Sequence, residues 1–532
     1  MMIKNKYYLY LTEFFAGMAV MAVELGASRL LAPYFSSSQI VWTIIIGTIM
    51  IAMALGNLFG GKWADRDKDP VKLFRRILTA SVWIALIPLL GKYVIIAITG
   101  ILIVTISENL LVWAAFAACL IIFVYPLFLL GTVTPSLIRF SVSDIDENGR
   151  VAGRLGACNT VGSIIGTFLP TFVTIPAVGT AITFLIFAAV LFALASLYLI
   201  SVKKGRASVV ISALIIILSA VFGHRSDFAF WENDLTYEGE SVYNYLQVKD
   251  DERATYLSTN VMFGVQSVMM KDSSLTGLYY DHALAAPVMA GLGRDSAGKN
   301  ILILGMGTGT FATQCRKYFP DADIKGVEID EKITMLAREY FDLSEDIPVT
   351  TYDGRAYLFA DKEKYDIIMV DAYQDITIPF QMSSTEFFTE VKDHLKEGGV
   401  MVVNMNMHGD DTEGDITDHL TDTVASVFKE VKTVDVPRTT NREMFASMEE
   451  GLSERLLRGA DDLEDESLKV LMTDIEKRLV FEENGGRILT DDRAPVELLG
   501  MNTIDTLIQG SVGYYRDIFK EKGLKGLIEE LG

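Results

Sequence analysis

The chain has 532 residues, half of them hydrophobic, and a mean hydropathy of +0.31. Its formal net charge of −21 is unevenly divided, because residues 1–223 carry +7 and the remaining residues carry −28. This composition excludes an ordinary soluble protein, and the acidic C-terminal part argues against a nucleic-acid-binding protein, which needs a basic surface.

The N-terminal part is a series of eight apolar stretches, at 8–32, 40–61, 74–90, 91–107, 111–135, 157–178, 180–201 and 207–223. Most of them reach the roughly 20 residues that a helix needs to cross a hydrocarbon core, but 74–90, 91–107 and 207–223 are shorter. The sequence therefore predicts an α-helical transmembrane bundle of seven or eight helices in contact with membrane lipid. Gly91-Lys92 would form a tight hairpin between two helices, or the stretch after it would lie at the membrane interface.

Basic residues indicate on which side of the membrane a loop lies. The segment from Lys62 to Arg76 is rich in them and is expected in the cytoplasm. Seven crossings would keep Lys203 and Lys204 in the cytoplasm and place the C-terminal part outside, whereas eight crossings place the C-terminal part in the cytoplasm. We favour eight, because the nucleoside chemistry inferred below needs a cytosolic metabolite. The prediction is an integral protein of the inner or plasma membrane.

Charged residues inside the apolar stretches are costly and usually face the protein interior. Glu13 and Glu24 are three helical turns apart and share one helix face, and Arg29 follows closely. One explanation is that Glu24 pairs with a basic residue such as Arg29 or Arg154 and locks the bundle. The other is a polar cavity that admits a substrate.

The three cysteines, Cys119, Cys158 and Cys315, form no CxxC or Cys/His pattern. We therefore expect neither a disulfide framework nor a metal site.

The C-terminal part changes pattern twice. Short strands separated by turns are predicted at 234–239, 241–248, 254–258 and 265–270. Buried-type strands that alternate with helical segments follow, at 300–304, 323–327, 348–351, 366–370 and 399–404. This alternation predicts a doubly wound, mainly parallel α/β sheet of Rossmann-like type. The predicted domains are a transmembrane helical domain at 1–223, a small β-domain at 224–285 and an α/β domain at 286–532.

A glycine-rich loop follows the first strand of the predicted α/β sheet. Small residues there let backbone amides approach a ligand, and the N-terminus of the next helix favours electron-rich groups. The loop residues expected to approach a nucleoside are Gly305, Gly307, Thr308 and Gly309. Glu328 ends the second strand, where a carboxylate can accept hydrogen bonds from both ribose hydroxyls.

Two further acids follow predicted strands. Asp353, with Gly354 after it, can accept a hydrogen bond from an adenine amino group, and Asp371 follows the fourth strand. Ligands of open α/β sheets bind at these strand ends, although a single aspartate there could equally cap a helix or form a turn. Together with Glu328, the two aspartates predict a nucleoside site.

These motifs resemble spermidine synthase and its aminopropyltransferase relatives, in particular the membrane-fused spermidine synthase-like proteins. The segments that carry the resemblance are 14–29, 153–166, 243–248, 305–309, 327–330, 352–354, 368–371 and 378–388. The resemblance covers nearly the whole chain and implies the fold predicted above.

The resemblance implies a reaction in which an amine attacks the aminopropyl carbon of decarboxylated S-adenosylmethionine and methylthioadenosine leaves. By position, Glu328 would hold the ribose, Asp353 the adenine, and Asp371 would be the base. The candidates on the acceptor side are Tyr280, His282 and Tyr373, and those of the small domain that would bind the nucleoside are Asn244 and Gln247. No tightly bound cofactor is implied. The partners would be the nucleoside substrate, a polyamine and a second copy of the chain, because these enzymes often form oligomers.

The sequence departs from the family pattern mainly on the amine side. Thr308 stands where the family has an aspartate in the glycine loop, and Gln374 stands where it has a second acid after the base, with Asp375 adjacent. Tyr280-Asp281-His282 replaces a Tyr-His-Glu motif, Ala286 replaces a histidine before Pro287, and Asn244 replaces a glutamine. Because a buried ammonium needs a charged or hydrogen-bonded partner, ordinary synthesis of spermidine from putrescine is in question.

Four hypotheses follow. The first is a membrane-anchored aminopropyltransferase. The second is a lyase in which the carboxylate of S-adenosylmethionine displaces methylthioadenosine and forms homoserine lactone. The third is a methyltransferase, which is disfavoured by the Asp371 strand end and the small β-domain. The fourth is a transporter or sensor that binds nucleoside without turning it over.

Overall fold

The structure is a computed structural model that describes residues 5–531 except 68, 107, 143–147, 233, 262–263, 294, 373–377 and 409–413. The chain divides into two compact units. The first comprises Met1–Trp231, Glu238–Tyr245 and Val512–Gly532, and the second comprises Glu232–Tyr237 and Leu246–Ser511. The three domain boundaries expected from the sequence stay a prediction.

The first unit is helical. Its helices are α1 (Lys6–Phe35), α2 (Gln39–Arg66), α3 (Pro70–Thr105), α4 (Leu110–Gly131), α5 (Val133–Ser141), α6 (Asn148–Leu169), α7 (Ile175–Ser201) and α8 (Arg206–Phe222). Among the described residues, five helical runs are long and apolar enough to cross a membrane. Helix α8 is apolar but shorter. The expected count of seven or eight is therefore not confirmed.

Besides the short length of α8, two features explain the lower count. The stretches 74–90 and 91–107 form one continuous helix, α3, so the hairpin predicted at Gly91-Lys92 was wrong. The stretches 157–178 and 180–201 count as one run of 54 residues, although Gly179, which lies between them, has a non-helical φ of 79°. At about 1.5 Å per residue this run is much longer than a hydrocarbon core of about 30 Å, so it is long enough to contain both predicted stretches.

Helices α1 and α6 pack so closely that a side chain would not fit between them. A Cβ added at Gly162 would lie 2.0 Å from the carbonyl oxygen of Phe14. The buried Glu13 of α1 contacts both α5 and α6, because its Oε1 accepts hydrogen bonds from Thr134 Oγ1 at 2.5 Å and from Asn159 Nδ2 at 2.9 Å. Glu13 thus acts as a link between helices.

Four short strands, close to those predicted, follow the helices, and the first of them is divided between the two units. They are β1 (Leu235–Glu240), β2 (Tyr245–Asp250), β3 (Ala254–Ser258) and β4 (Ser267–Met270), hydrogen-bonded in that order. Strands β2, β3 and β4 pair antiparallel. Two short helices follow, α9 (Tyr279–Ala283) and α10 (Ala285–Met289).

An eight-stranded sheet forms the core of the second unit. Its elements are β5 (Asn300–Leu304), α11 (Thr310–Tyr318), β6 (Asp323–Glu328), α12 (Glu331–Tyr340), β7 (Val349–Thr351), α13 (Gly354–Ala360), β8 (Tyr365–Val370), α14 (Thr385–His394), β9 (Leu395–Met405), α15 (Ile416–Ala425), β10 (Glu430–Asp435), β11 (Arg442–Ser447), α16 (Leu452–Asp461), α17 (Glu466–Arg478) and β12 (Val480–Phe481). The long helix α18 (Val496–Leu531) ends the chain.

The strand order is β12-β10-β11-β9-β8-β5-β6-β7. Strands β5 to β9 pair in parallel, as the sequence predicted, and β11, β10 and β12 extend the sheet antiparallel. The strand order reverses between β5 and β8, which is where open α/β sheets form a ligand crevice at the carboxyl ends of their strands.

Candidate active site

The glycine loop between β5 and α11 lies against the end of β8. Gly305 has a φ of 86°, and a Cβ at this position would lie 2.5 Å from the carbonyl oxygen of Asp371. Only glycine allows this approach without displacement of the backbone. The end of the loop rests on β4, because Thr310 Oγ1 donates to the carbonyl of Val268 at 2.8 Å, and the buried Thr308 donates its N–H to Ser267 Oγ at 3.5 Å. Gly309, with a φ of 81°, begins α11.

Glu328 lies at the end of β6, directly beside this loop. Its Oε2 accepts the N–H of Gly307 at 2.9 Å, and its Oε1 accepts the N–H of Asp330 at 3.0 Å. Burial raises the pKa of the carboxyl to about 7, although these backbone N–H groups favour the ionised form. The structure thus brings Glu328 and the glycine loop together at the crevice.

Asp353 lies at the end of β7 and caps α13. One carboxylate oxygen accepts the N–H of Ala356 at 2.8 Å, so the capping role that the sequence left open is present. The N–H of Tyr352 donates to the carbonyl of Glu328 at 3.1 Å, which ties the ends of β7 and β6 together. Gly354 lies beside Met382, and the role of Asp353 toward adenine stays a prediction.

Asp371, at the end of β8, is held by two donors. Its Oδ2 accepts from the Tyr279 hydroxyl at 2.8 Å, and its Oδ1 accepts from Asn404 Nδ2 at 2.9 Å. Asn404 is fixed in turn by Asn441 Nδ2, which donates to its Oδ1 at 2.8 Å. Burial raises the pKa of the Asp371 carboxyl to about 7, and the two hydrogen bonds oppose this shift. A carboxyl with this pKa can accept a proton near neutral pH.

The other candidates near α9 are buried in different contacts. The Tyr280 hydroxyl donates to the carbonyl of Gln266 at 2.6 Å, so of the two adjacent tyrosines it is Tyr279 that contacts Asp371. His282 lies between the carbonyl of Leu278 and the guanidinium of Arg478, and burial lowers its pKa. The acceptor-side roles of Tyr280 and His282 stay predictions.

The remaining predicted residues lie elsewhere. Tyr373 lies outside the described residues. Gln247 is in β2, where it pairs with Ser258, and Asn244 precedes that strand and donates its N–H to Ser241 Oγ at 2.8 Å. Asn244 belongs to the first unit and Gln247 to the second. Their nucleoside-binding roles stay predictions.

Sequence reasoning missed the two side chains that hold Asp371. Asn404 is the last polar residue of a predicted strand, so the strand-end rule applied to Glu328 and Asp371 would have found it. Tyr279 and Tyr280 are one residue apart and point about 100° apart on a helix, and the sequence does not tell which of them faces the sheet.

A family model for the spermine/spermidine synthase domain matches residues 286–452. A protein of Bifidobacterium longum described as a probable polyamine aminopropyl transferase is 54% identical over 354 residues, which cover 62% of this chain and 77% of that protein. The chain belongs to the polyamine aminopropyltransferase family. The family inferred from the sequence motifs is thereby confirmed.

Two further proteins show lower identity to this aminopropyltransferase. The polyamine aminopropyltransferase of Vibrio vulnificus is 26% identical over 310 residues, which cover 54% of this chain and 99% of that protein. A spermidine synthase structure from Thermotoga maritima has a TM-score of 0.36 and 17% identity, and covers 46% of this chain and 87% of its own. The fold assignment rests on the strand order described above. The chain is an enzyme of the aminopropyltransferase class, and none of the comparisons supports the lyase alternative.

Proposed function

We propose that this enzyme transfers the aminopropyl group of decarboxylated S-adenosylmethionine to an amine, with Asp371 as the base. The observation that carries the proposal is the position of Asp371. Asp371 lies at the strand-order reversal with its backbone against Gly305 of the glycine loop, and its carboxyl is oriented by Tyr279 and Asn404.

The chemistry follows from that geometry. The lone pair of the acceptor nitrogen attacks the aminopropyl carbon next to sulfur and forms a C–N bond. The C–S bond breaks, its electron pair goes to the sulfonium sulfur, and methylthioadenosine leaves. The acceptor nitrogen gives up a proton to Asp371, whose negative charge also favours the cationic reactants.

The nucleoside would lie across the ends of β5, β6 and β7. Glu328 is suited to accept hydrogen bonds from the ribose hydroxyls, because two backbone N–H groups hold its carboxylate at the crevice and each oxygen keeps a second lone pair. The amides of the glycine loop and Asp353 would complete the nucleoside contacts. This arrangement is supported by the family match over residues 286–452.

The Asp371→Asn variant tests the base assignment. We expect turnover to fall by about 100- to 10,000-fold, because asparagine cannot accept the proton, while nucleoside binding measured by calorimetry persists. Asparagine keeps the size and an oxygen for one of the two donors, so the fold should be retained. Full activity in this variant would remove Asp371 as the base.

The helical unit would anchor the enzyme in the membrane, with the catalytic unit in the cytoplasm, where decarboxylated S-adenosylmethionine is made. Five helical runs of the required length support the membrane anchor, and the basic segment from Lys62 to Arg76 supports a cytoplasmic side between α2 and α3. With one crossing for each of the five runs, a cytoplasmic catalytic unit requires the shorter apolar helix α8 to cross as well, because the number of crossings is then even.

A further inference from the structure

A buried carboxyl near Asp371 has no partner. Glu443, in β11, is 0% exposed, and neither of its oxygens has a hydrogen-bond partner in the part of the chain that the structure describes. Burial, and secondarily the negative charge of Asp371, raise its pKa well above the ordinary value. Buried polar groups are nearly always satisfied, so an unpartnered carboxyl beside a reactive site points to a ligand group that is not part of the protein.

Strand register puts Glu443 on the same face as the base. Glu443 pairs with Asn404 across β11 and β9, and directly opposite residues of antiparallel strands project from one face with neighbouring Cβ atoms. Asn404 is the residue that donates to Asp371. The three side chains therefore form one row across β8, β9 and β11.

The neighbours of Glu443 in this row are apolar. Val434, opposite Glu443 on β10, and Phe445, two residues further along β11, belong to the hydrophobic cluster that also contains Tyr280. The row thus has a carboxyl at each end, with hydrocarbon beside Glu443 and the polar groups of Tyr279 and Asn441 toward Asp371. β8 and β11 are two strand spacings apart, roughly 10 Å. Side chains of one row project from the same face of a sheet, and a short alkyl diamine that donates hydrogen bonds at both ends can bridge a separation of this size.

We propose that Glu443 binds the second ammonium group of a diamine acceptor whose first nitrogen faces Asp371. The assignment rests on the aminopropyl transfer proposed above. The ammonium supplies both the positive charge and the N–H donors that the Glu443 oxygens lack, and the alkyl chain lies against apolar side chains. Glu443 is therefore the residue that makes the enzyme favour a diamine over a monoamine of the same length.

The test compares the detergent-purified full-length enzyme with its Glu443→Gln variant, using decarboxylated S-adenosylmethionine with either 1,4-diaminobutane or 1-aminobutane. We expect the substitution to raise KM for the diamine about 100-fold, to change kcat little, and to leave kcat/KM for the monoamine within about twofold. Glu430→Gln is the matched control, because Glu430 is a buried acid of β10 whose Oε2 accepts the N–H of Leu452. The Glu430→Gln variant should leave KM and kcat unchanged for both the diamine and the monoamine.

Each outcome bears on the assignment. An active Glu443→Gln enzyme with the wild-type KM for the diamine would overturn the role of Glu443 and leave aminopropyl transfer intact. If the wild-type enzyme had the same kcat/KM for the monoamine and the diamine, the role of Glu443 would be overturned without any variant. This comparison remains possible if the substitution prevents folding. A wild-type enzyme that aminopropylates neither amine would contradict the proposed function itself, and the diamine site with it.

Discussion

At the scale of single residues, the environment of Asp371 sets the pH dependence of the reaction. The base acts in its ionised form, and burial raises its pKa from 3.8 to about 7. We expect kcat/KM to fall about tenfold per pH unit below pH 7 and to level off above it. Rates measured between pH 5.5 and 8 check this. A profile that stays flat down to pH 5 would contradict the shifted base.

The hydrogen bond from Tyr279 stabilises the ionised form of Asp371. Tyr279→Phe removes this donor, so we expect the acid limb of the pH profile to move to higher pH. Tyr280→Phe is the matched control, because its hydroxyl contacts the carbonyl of Gln266 instead. If both variants shifted the limb equally, Tyr279 would have no special role in orienting the base.

Glu328 should control nucleoside affinity. Loss of a hydrogen bond to a charged group costs about 1.5–3 kcal/mol, so Glu328→Ala should weaken binding of decarboxylated S-adenosylmethionine about 10- to 100-fold. Calorimetry with the purified protein measures this directly. Unchanged affinity would refute the ribose-binding role.

At the scale of elements, the contact between α1 and α6 is the most sensitive part of the helical unit. An alanine Cβ at Gly162 would meet the Phe14 carbonyl, whereas nothing lies within 4 Å of a Cβ at Gly153 on the same helix. We expect Gly162→Ala to destabilise the protein by about 1–3 kcal/mol and Gly153→Ala to be neutral or stabilising. Thermal unfolding in detergent compares them, and equal stability of the two variants would contradict the close packing.

The sequence was most informative where an element has a clear hydrophobic pattern and is bounded by residues that end a strand or helix. The parallel strands, with Glu328 and Asp371 at their ends, followed from buried-type runs bounded by glycine and acidic residues. Hydropathy alone could not separate one 36-residue helix from two shorter ones, which is why the hairpin at Gly91-Lys92 was wrong. The antiparallel strands β10 and β11 were missed, and Glu443 with them, because its position opposite Asn404 depends on long-range register.

At the scale of the whole molecule, the N-terminal and C-terminal parts differ both in net charge and in the kind of surface they expose. Helix α8 exposes a set of large apolar side chains, which a membrane would cover. They are Ile211, Leu214, Ile217 and Leu218. The acidic C-terminal part, in contrast, carries the strands and helices of the catalytic unit.

Labelling of introduced cysteines in intact cells tests the orientation. Glu450, exposed in the catalytic unit, and Ser37, exposed between α1 and α2, are suitable positions. If the catalytic unit is cytoplasmic, as proposed, Ser37→Cys should react with a membrane-impermeant maleimide in intact cells, whereas Glu450→Cys should react only after lysis. The unsubstituted protein gives the background of the native cysteines. Labelling of Glu450→Cys in intact cells would place the catalytic unit outside.

The central claim is aminopropyl transfer, and product analysis tests it most directly. Detergent-purified enzyme is incubated with decarboxylated S-adenosylmethionine or with S-adenosylmethionine, each with and without 1,4-diaminobutane, and the products are identified by mass spectrometry. We predict methylthioadenosine and an aminopropylated diamine in equal amounts, only from the decarboxylated donor and only with the amine present. Methylthioadenosine released from S-adenosylmethionine without an amine, or formation of S-adenosylhomocysteine, would contradict the account.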